Sequence, residues 1–130
     1  MKYIWFGILV LIMFSSCSRE DDQPFELTAE GLVGTWEQYQ FEGSTGVGSY
    51  RTPNEATGRT ITFLPDGKWN SINFFECEEG EYRVKDHVLT MIFQCGDQVD
   101  EQIFRLSREG DQLKISPSCF EGCSYFFKKI

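Results

Sequence analysis

The 130-residue chain carries 12 Lys+Arg against 20 Asp+Glu, a formal net charge of −8, with 15% aromatic residues and five cysteines. An acidic excess argues against nucleic acid or an anionic lipid face as a charge-driven partner, because no surplus of cations is present to displace counterions. The length provides for one domain and no more.

Met1 and Lys2 precede an apolar run, Ile4 to Phe14, that contains no charge. Ser15-Ser16-Cys17 follows, and the composition then flips to Ser18-Arg19-Glu20-Asp21-Asp22. A basic start, about a dozen apolar residues and small residues before a cut site are the pattern of a secretory signal peptide. The run is too short to span a membrane, since ~30 Å of hydrocarbon takes roughly 20 apolar residues. The expected organisation is a removed segment 1–16, a polar acidic tether 17–26 and a folded domain 27–130. Lys2 is the only charged residue in 1–16, so the remainder holds 11 basic and 20 acidic side chains, net −9.

Ser15-Ser16-Cys17 resembles the lipobox of bacterial lipoproteins, with Phe14 where that family usually carries Leu. The resemblance implies a diacylglycerol on Cys17, removal of the signal ahead of it, and a membrane anchor made of acyl chains. Each buried methylene of such chains contributes ~0.8 kcal/mol, so the domain needs no membrane-binding face of its own. Glu20-Asp21-Asp22 resembles the export signal of Bacteroidetes surface lipoproteins, and it also reads as a solvated tether.

In the domain, Thr28 caps a short helical turn whose Leu32 and Val33 face inward, with Gly34 stopping it. Gly34-Thr35-Trp36 opens a strand to about Phe41, with Trp36 and Tyr39 on opposite parities unless a bulge intervenes. Gly43 to Gly58 has no period apart from a short strand at Val47–Arg51, and reads either as a functional loop or as a crossover. Ile61 and Phe63 then alternate, and Pro65-Asp66-Gly67 supplies a hairpin turn. Trp69 to Phe75 is the returning strand, with Ile72 and Phe74 on one face. Glu78-Glu79-Gly80 turns the chain, and Tyr82 and Val84 alternate against Glu81, Arg83 and Lys85. Asp86-His87 is the next tight turn, followed by a strand from Val88 to Cys95 and a break at Gly96-Asp97. Gln102–Ser107, a turn at Glu109-Gly110-Asp111, Leu113–Ser116, a loop from Pro117 to Gly122 and Ser124–Ile130 complete the chain.

Short strands joined by tight turns make an antiparallel meander, whose edges stay exposed unless the sheet closes. The expected fold is therefore all-β, a small antiparallel up-and-down barrel of about eight strands behind a short N-terminal helical turn. A flattened sandwich is the second choice. With Cys17 lipidated, four cysteines remain: Cys77, Cys95, Cys119 and Cys123. An even number in an exported domain reads as disulfides, with three pairings open. Cys77–Cys95 and Cys119–Cys123 are favoured because each closes a local β-loop; a four-thiolate zinc site is the competing use, and the spacings do not form two CxxC knuckles.

Leu32-Val33-Gly34-Thr35-Trp36 is similar to the glycine-x-tryptophan opening of the lipocalin and calycin families. Ile61 through Trp69, Gly80-Glu81-Tyr82 and the Leu106–Ile115 hairpin resemble lipocalin-like lipoprotein domains of Bacteroidetes. The resemblance implies a barrel with a helical turn plugging one end, a tryptophan packed against it, and an apolar ligand cavity. True lipocalins stack an arginine on that tryptophan, where this chain offers only Lys128 and Lys129. Trp36, Phe63, Trp69, Phe74, Tyr82 and Phe93 are the candidate ligand-facing aromatics. A small eight-stranded barrel leaves room only for side chains or one small ligand, so Phe104 and these residues also serve as plain core.

Catalytic chemistry is not indicated. His87, the only histidine, falls in a turn, with no nucleophile placed near it. Glu76, Glu78, Glu79 and Glu81, and separately Asp97, Asp100 and Glu101, read as solvated charge on turns, with calcium binding the competing use. No metal or cofactor is expected. The leading functional expectation is a non-enzymatic outer-membrane lipoprotein, on the periplasmic face or cell surface, acting as a monomer on a small apolar or amphipathic ligand. The alternative is a protein-interaction module with a filled barrel, an inhibitor, immunity or accessory lipoprotein of the envelope. Its working surface would be the Gly-rich loop and the Cys119–Cys123 tip with Phe120.

Overall fold

The computed structural model describes residues 25–119 and 122–130, so Cys17, the leader, most of the tether and Phe120 lie outside the described residues. A helical turn, α1 (Ala29–Leu32), is capped by Thr28, whose hydroxyl accepts the Gly31 N–H at 3.1 Å. Nine strands follow: β1 (Gly34–Ser44), β2 (Ser49–Arg51), β3 (Thr60–Phe63), β4 (Lys68–Ile72) and β5 (Glu79–Lys85), then β6 (Val88–Cys95), β7 (Gln98–Glu109), β8 (Gln112–Pro117) and β9 (Cys123–Lys129). Every pairing is antiparallel, and β1 pairs with β9 as well as β3, which closes an eight-stranded barrel with β2 as an extra strand on β1. The all-β barrel read from the alternation is the fold of this chain.

The turns arise from local chemistry. Asp86 and His87 both adopt positive φ (51° and 61°), the geometry of a tight two-residue hairpin whose twist matches its strands. At Pro65-Asp66-Gly67 the Leu64 N–H meets the Lys68 carbonyl at 2.8 Å. Gly34, at φ 133°, swings the chain from α1 into β1, a conformation that L side chains rarely adopt. The bulge expected after Trp36 lies between Gln38 and Gln40. It shifts the phase so that Trp36 packs in the core and Phe41 stacks on Tyr125 at 5.0 Å, while Tyr39 lies under Lys128.

Three expectations change. The strand expected over Trp69–Phe75 ends at Ile72, because Asn73 takes φ 56° and redirects the chain. Ile72 and Phe74 therefore do not share a face: Ile72 is 58% exposed, whereas Phe74 turns inward against Tyr125 and Phe127. Glu79 and Gly80 belong to β5 rather than to a turn. The strand expected over Gln102–Ser107 runs from Gln98 to Glu109, since Cys95 pairs directly with Gln98 across the two-residue turn Gly96-Asp97.

Candidate functional site: the hairpin end of the barrel

One barrel end is closed by the N-terminal segment. Leu32 and Trp36 have no solvent exposure, and the Trp36 indole donates to the Leu32 carbonyl at 2.8 Å. Phe25 meets Trp36 edge-on at 4.8 Å, with its carbonyl accepting from Arg108 at 3.0 Å. Lys129 lies over the Trp36 ring with its ammonium 5.7 Å from the centroid. Tyr82 completes this end by donating its phenol to Leu64 O at 2.8 Å, and burial pushes that phenol above the usual tyrosine range.

The barrel's middle is filled. Trp36, Phe63, Leu89, Met91, Leu113 and Phe127 each show zero accessible area. A side chain with no accessible area faces no void that admits a water molecule, so these positions line no open cavity. Two buried polar atoms, Gln38 Oε1 and Ser71 Oγ, have no hydrogen-bond partner among the described residues.

The opposite end is built differently. After β4 the chain folds Phe74 and Phe75 over the barrel mouth. Phe75 packs edge-on against Trp69 at 5.4 Å and Phe93 at 4.9 Å, while Phe74 covers Phe127 at 5.3 Å. The Cys77–Cys95 disulfide ties this segment to the end of β6. Beyond it, β6 and β7 rise as a hairpin above the rest of the wall. β8 pairs with β7 only from Phe104, opposite Pro117, so Gln98–Ile103 is paired on one side alone among the described residues. Between that overhang and the Phe74–Cys77 segment lies an open cleft of about 670 Å³, floored by Phe74, Phe75, Phe93 and the disulfide and rimmed by Glu76 and Asp100.

The six aromatics singled out from the sequence are thus divided. Trp36, Phe63, Trp69 and Tyr82 are buried in the core, whereas Phe74 and Phe93 reach the cleft. Phe75 and the Gln98–Ile103 overhang, which complete the site, were not signalled as such. The two-residue turn flanked by Cys95 and Gln98 was the available clue, since such turns pair the residues on either side of them.

The Gly43–Gly58 stretch is not a free flap at a mouth. Thr52 Oγ1 accepts the Phe41 N–H at 2.8 Å, Thr57 Oγ1 donates to Gln38 O at 2.7 Å, and Glu55 N–H meets Tyr39 O at 3.1 Å. Arg51 lies 4.9 Å over the Phe126 ring and pairs with Glu109 at 2.8 Å and with Glu42 at 2.6 Å. The segment is a strap across the outer wall, and it leaves the outward-pointing Phe126 with no exposure. Arg51 holds the Glu109 carboxyl below the usual carboxylate range, chiefly by hydrogen bonding.

Cys119 and Cys123 form the second disulfide, which joins the beginning of the β8–β9 loop to the first residue of β9. Both sulfur pairs match the favoured reading, so the four thiolates do not form a zinc site. His87 is exposed in its turn, and among the described residues no three His, Cys, Asp or Glu side chains converge as metal ligands. No described helix is long and apolar enough to cross a membrane.

Exposed large apolar side chains concentrate on the hairpin half of the barrel. Val47 at the tip of the β1–β2 turn is 97% exposed, and Ile72, Val99 and Ile103 each exceed half exposure, with Tyr50 close behind; Ile130, 66% exposed and bonded through its N–H to Thr35 O, is the exception at the plug end. No family model, no curated protein and no solved structure matches this chain.

Proposed function

We propose that this chain is an exported, lipid-anchored, non-enzymatic barrel of the bacterial outer membrane that works, as a monomer, by binding a protein partner at its hairpin end. One observation carries the reading. The side chains of the barrel centre show no accessible area, while five of the six large apolar side chains exposed among the described residues, all but Ile130, lie away from the Phe25 segment where the tether joins. Contiguous apolar exposure marks interaction surfaces, and Val99 and Ile103, four residues apart in β7, share one face of that strand. The anchor on Cys17 rests on the Ser15-Ser16-Cys17 pattern. The lipocalin-like affinity draws support from the Trp36–Leu32 bond and from Lys129 over the Trp36 ring, the place the family gives to arginine.

The test is photo-crosslinking in the native envelope from single positions. Probes at Val47 and Ile72 are expected to capture the same partner, and a probe at Lys85, beside the plug-end turn, to capture none. Equal capture from both ends would sink the reading. Radiolabelled palmitate is expected to enter the wild type and not Cys17→Ser.

A second reading rests on the cleft. Its aromatic floor and volume of about 670 Å³ suit one small apolar or amphipathic ligand at the mouth rather than inside. Native mass spectrometry that finds a retained small molecule, released by Phe74→Ala, would favour it over the protein partner.

A further inference from the structure

The geometry points to a specific mode for that partner: we infer that an extended, lysine- or arginine-bearing segment of another protein adds as a strand to the free edge of β7 at Gln98–Ile103. The inference rests on the partner-binding reading above and narrows it to one edge and one chemistry.

The hydrogen-bond phase of β7 is set by its hairpin. Cys95 and Gln98 flank a two-residue turn and therefore exchange their backbone bonds, and the Leu106 N–H to His87 O bond of 2.8 Å keeps the same phase farther along. Even-numbered residues of β7 thus bond to β6. Val99, Glu101 and Ile103 direct their N–H and C=O groups the other way, where no described strand lies. Among the described residues, only the Glu101 N–H is occupied there, by the neighbouring Asp100 carboxylate at 3.0 Å. An unpaired row of this kind is a template for another chain, and proteins that leave one open either charge it against accidental pairing or use it.

The chemistry of the occupant follows from the surroundings. A strand added here would send alternate side chains toward the cleft, whose floor of Phe74, Phe75 and Phe93 accepts apolar groups. Asp100 and Glu76 on the rim, with Asp97 in the turn, favour cations beside them; Glu101 is partly met by Arg83 at 3.6 Å. Antiparallel pairing of this edge with a second copy about its centre would set either Asp100 opposite Asp100 or Glu101 opposite Glu101, depending on register, which is unfavourable for directly opposed strand residues. A foreign, basic, extended segment fits, and self-association does not.

The experiment uses the purified full chain, 15N-labelled, titrated with a synthetic nine-residue peptide alternating Lys and Val. The expected result is that the Val99, Glu101 and Ile103 amide signals shift. Replacing Lys by Asp, or N-methylating the alternate amides that would face β7, should weaken binding by about tenfold or more. Val99→Pro removes an N–H that β6 does not use and should weaken binding comparably; Asp100→Asn, which leaves the backbone untouched, should weaken it by about threefold. Absence of binding up to about 1 mM, or binding indifferent to N-methylation and to both variants, overturns the inference. Shifts at Val47, Tyr50 and Ile72 alone overturn the edge while leaving the partner-binding reading intact. Failure of the peptide together with failure of crosslinking at Val47 and Ile72 removes both. Dimerisation of the chain that Val99→Pro abolishes overturns the choice of a foreign partner.

Discussion

The two ends of this barrel are closed by the same kind of side chain and yet are not equivalent. At the plug end, Leu32 and Trp36 are wholly buried, the indole is satisfied by a backbone carbonyl, and the phenol of Tyr82 caps Leu64. At the hairpin end, Phe74 and Phe75 cover the mouth only partly, a disulfide holds them, and six residues of β7 stand clear of β8. Burial without polar remainder serves stability. The rings of Phe74 and Phe75 are only partly buried and lie beside a strand edge that no described strand pairs. The contrast is what the proposed partner binding at the hairpin end rests on.

The sharpest way to break the contrast is at the boundary between the halves. A methyl group on Gly80 would fall inside the Ile92 carbonyl of the paired strand and against the Trp69 indole, which donates to that same carbonyl at 3.2 Å. Gly80→Ala is expected to cost about 4 kcal/mol, because backbone rather than a mobile side chain stands in the way. Urea denaturation checks it, and a loss under about 1 kcal/mol would show that the wall yields more than its geometry suggests.

A matched pair then compares the ends directly. Leu32→Ala should cost about 3 kcal/mol by leaving a cavity in the plug. Replacing Cys77 and Cys95 together by Ser should cost a similar amount, about 3 kcal/mol for an 18-residue separation on loop entropy. The two losses should differ in where they appear by hydrogen exchange. The Leu32 variant should loosen amides throughout the barrel, and the cysteine variant mainly those of 73–78 and 96–103. Identical exchange patterns would erase the distinction between the ends.

The smallest expected effect concerns the strap. The folded-state pKa of Glu109 is depressed, so its contribution is present above the usual carboxylate range and is lost as pH falls through the folded value. Acidification should therefore lower the protection of the Thr52, Glu55 and Thr57 amides, taken relative to the pH-dependent exchange of the free peptide, before the barrel itself loosens. Arg51→Ala should remove that pH dependence. Both Arg51 and Glu109 are exposed, which keeps the effect small and sensitive to salt.

Much of the fold was legible because its signals are short-range. Pro65-Asp66-Gly67, Asp86-His87 and Gly110 mark turns, and the alternation of Ile61 with Phe63 and of Leu113 with Ile115 marks one buried face per strand. Spacing favoured the two cysteine pairs that form but left three pairings open. The site was less so. Nothing local says that Asn73 takes a positive φ and folds Phe74 and Phe75 over the mouth, since an alternating reading of Trp69–Phe75 is equally regular. The Gly43–Gly58 strap also looked aperiodic, because its order comes from Phe41, Gln38, Phe126 and Glu109, residues elsewhere in the chain.

The amino-acid order by itself determined most of the places where the chain turns and which faces are apolar, and it favoured one of three sulfur pairings. Closure of β1 on β9 decided the rest: how far β7 overhangs, which aromatics fill the centre and which reach the cleft. Turn chemistry and side-chain alternation act over a few residues. The stagger between strands is settled only when all eight must meet their neighbours at once, and that stagger is what leaves Gln98–Ile103 paired on one side alone among the described residues.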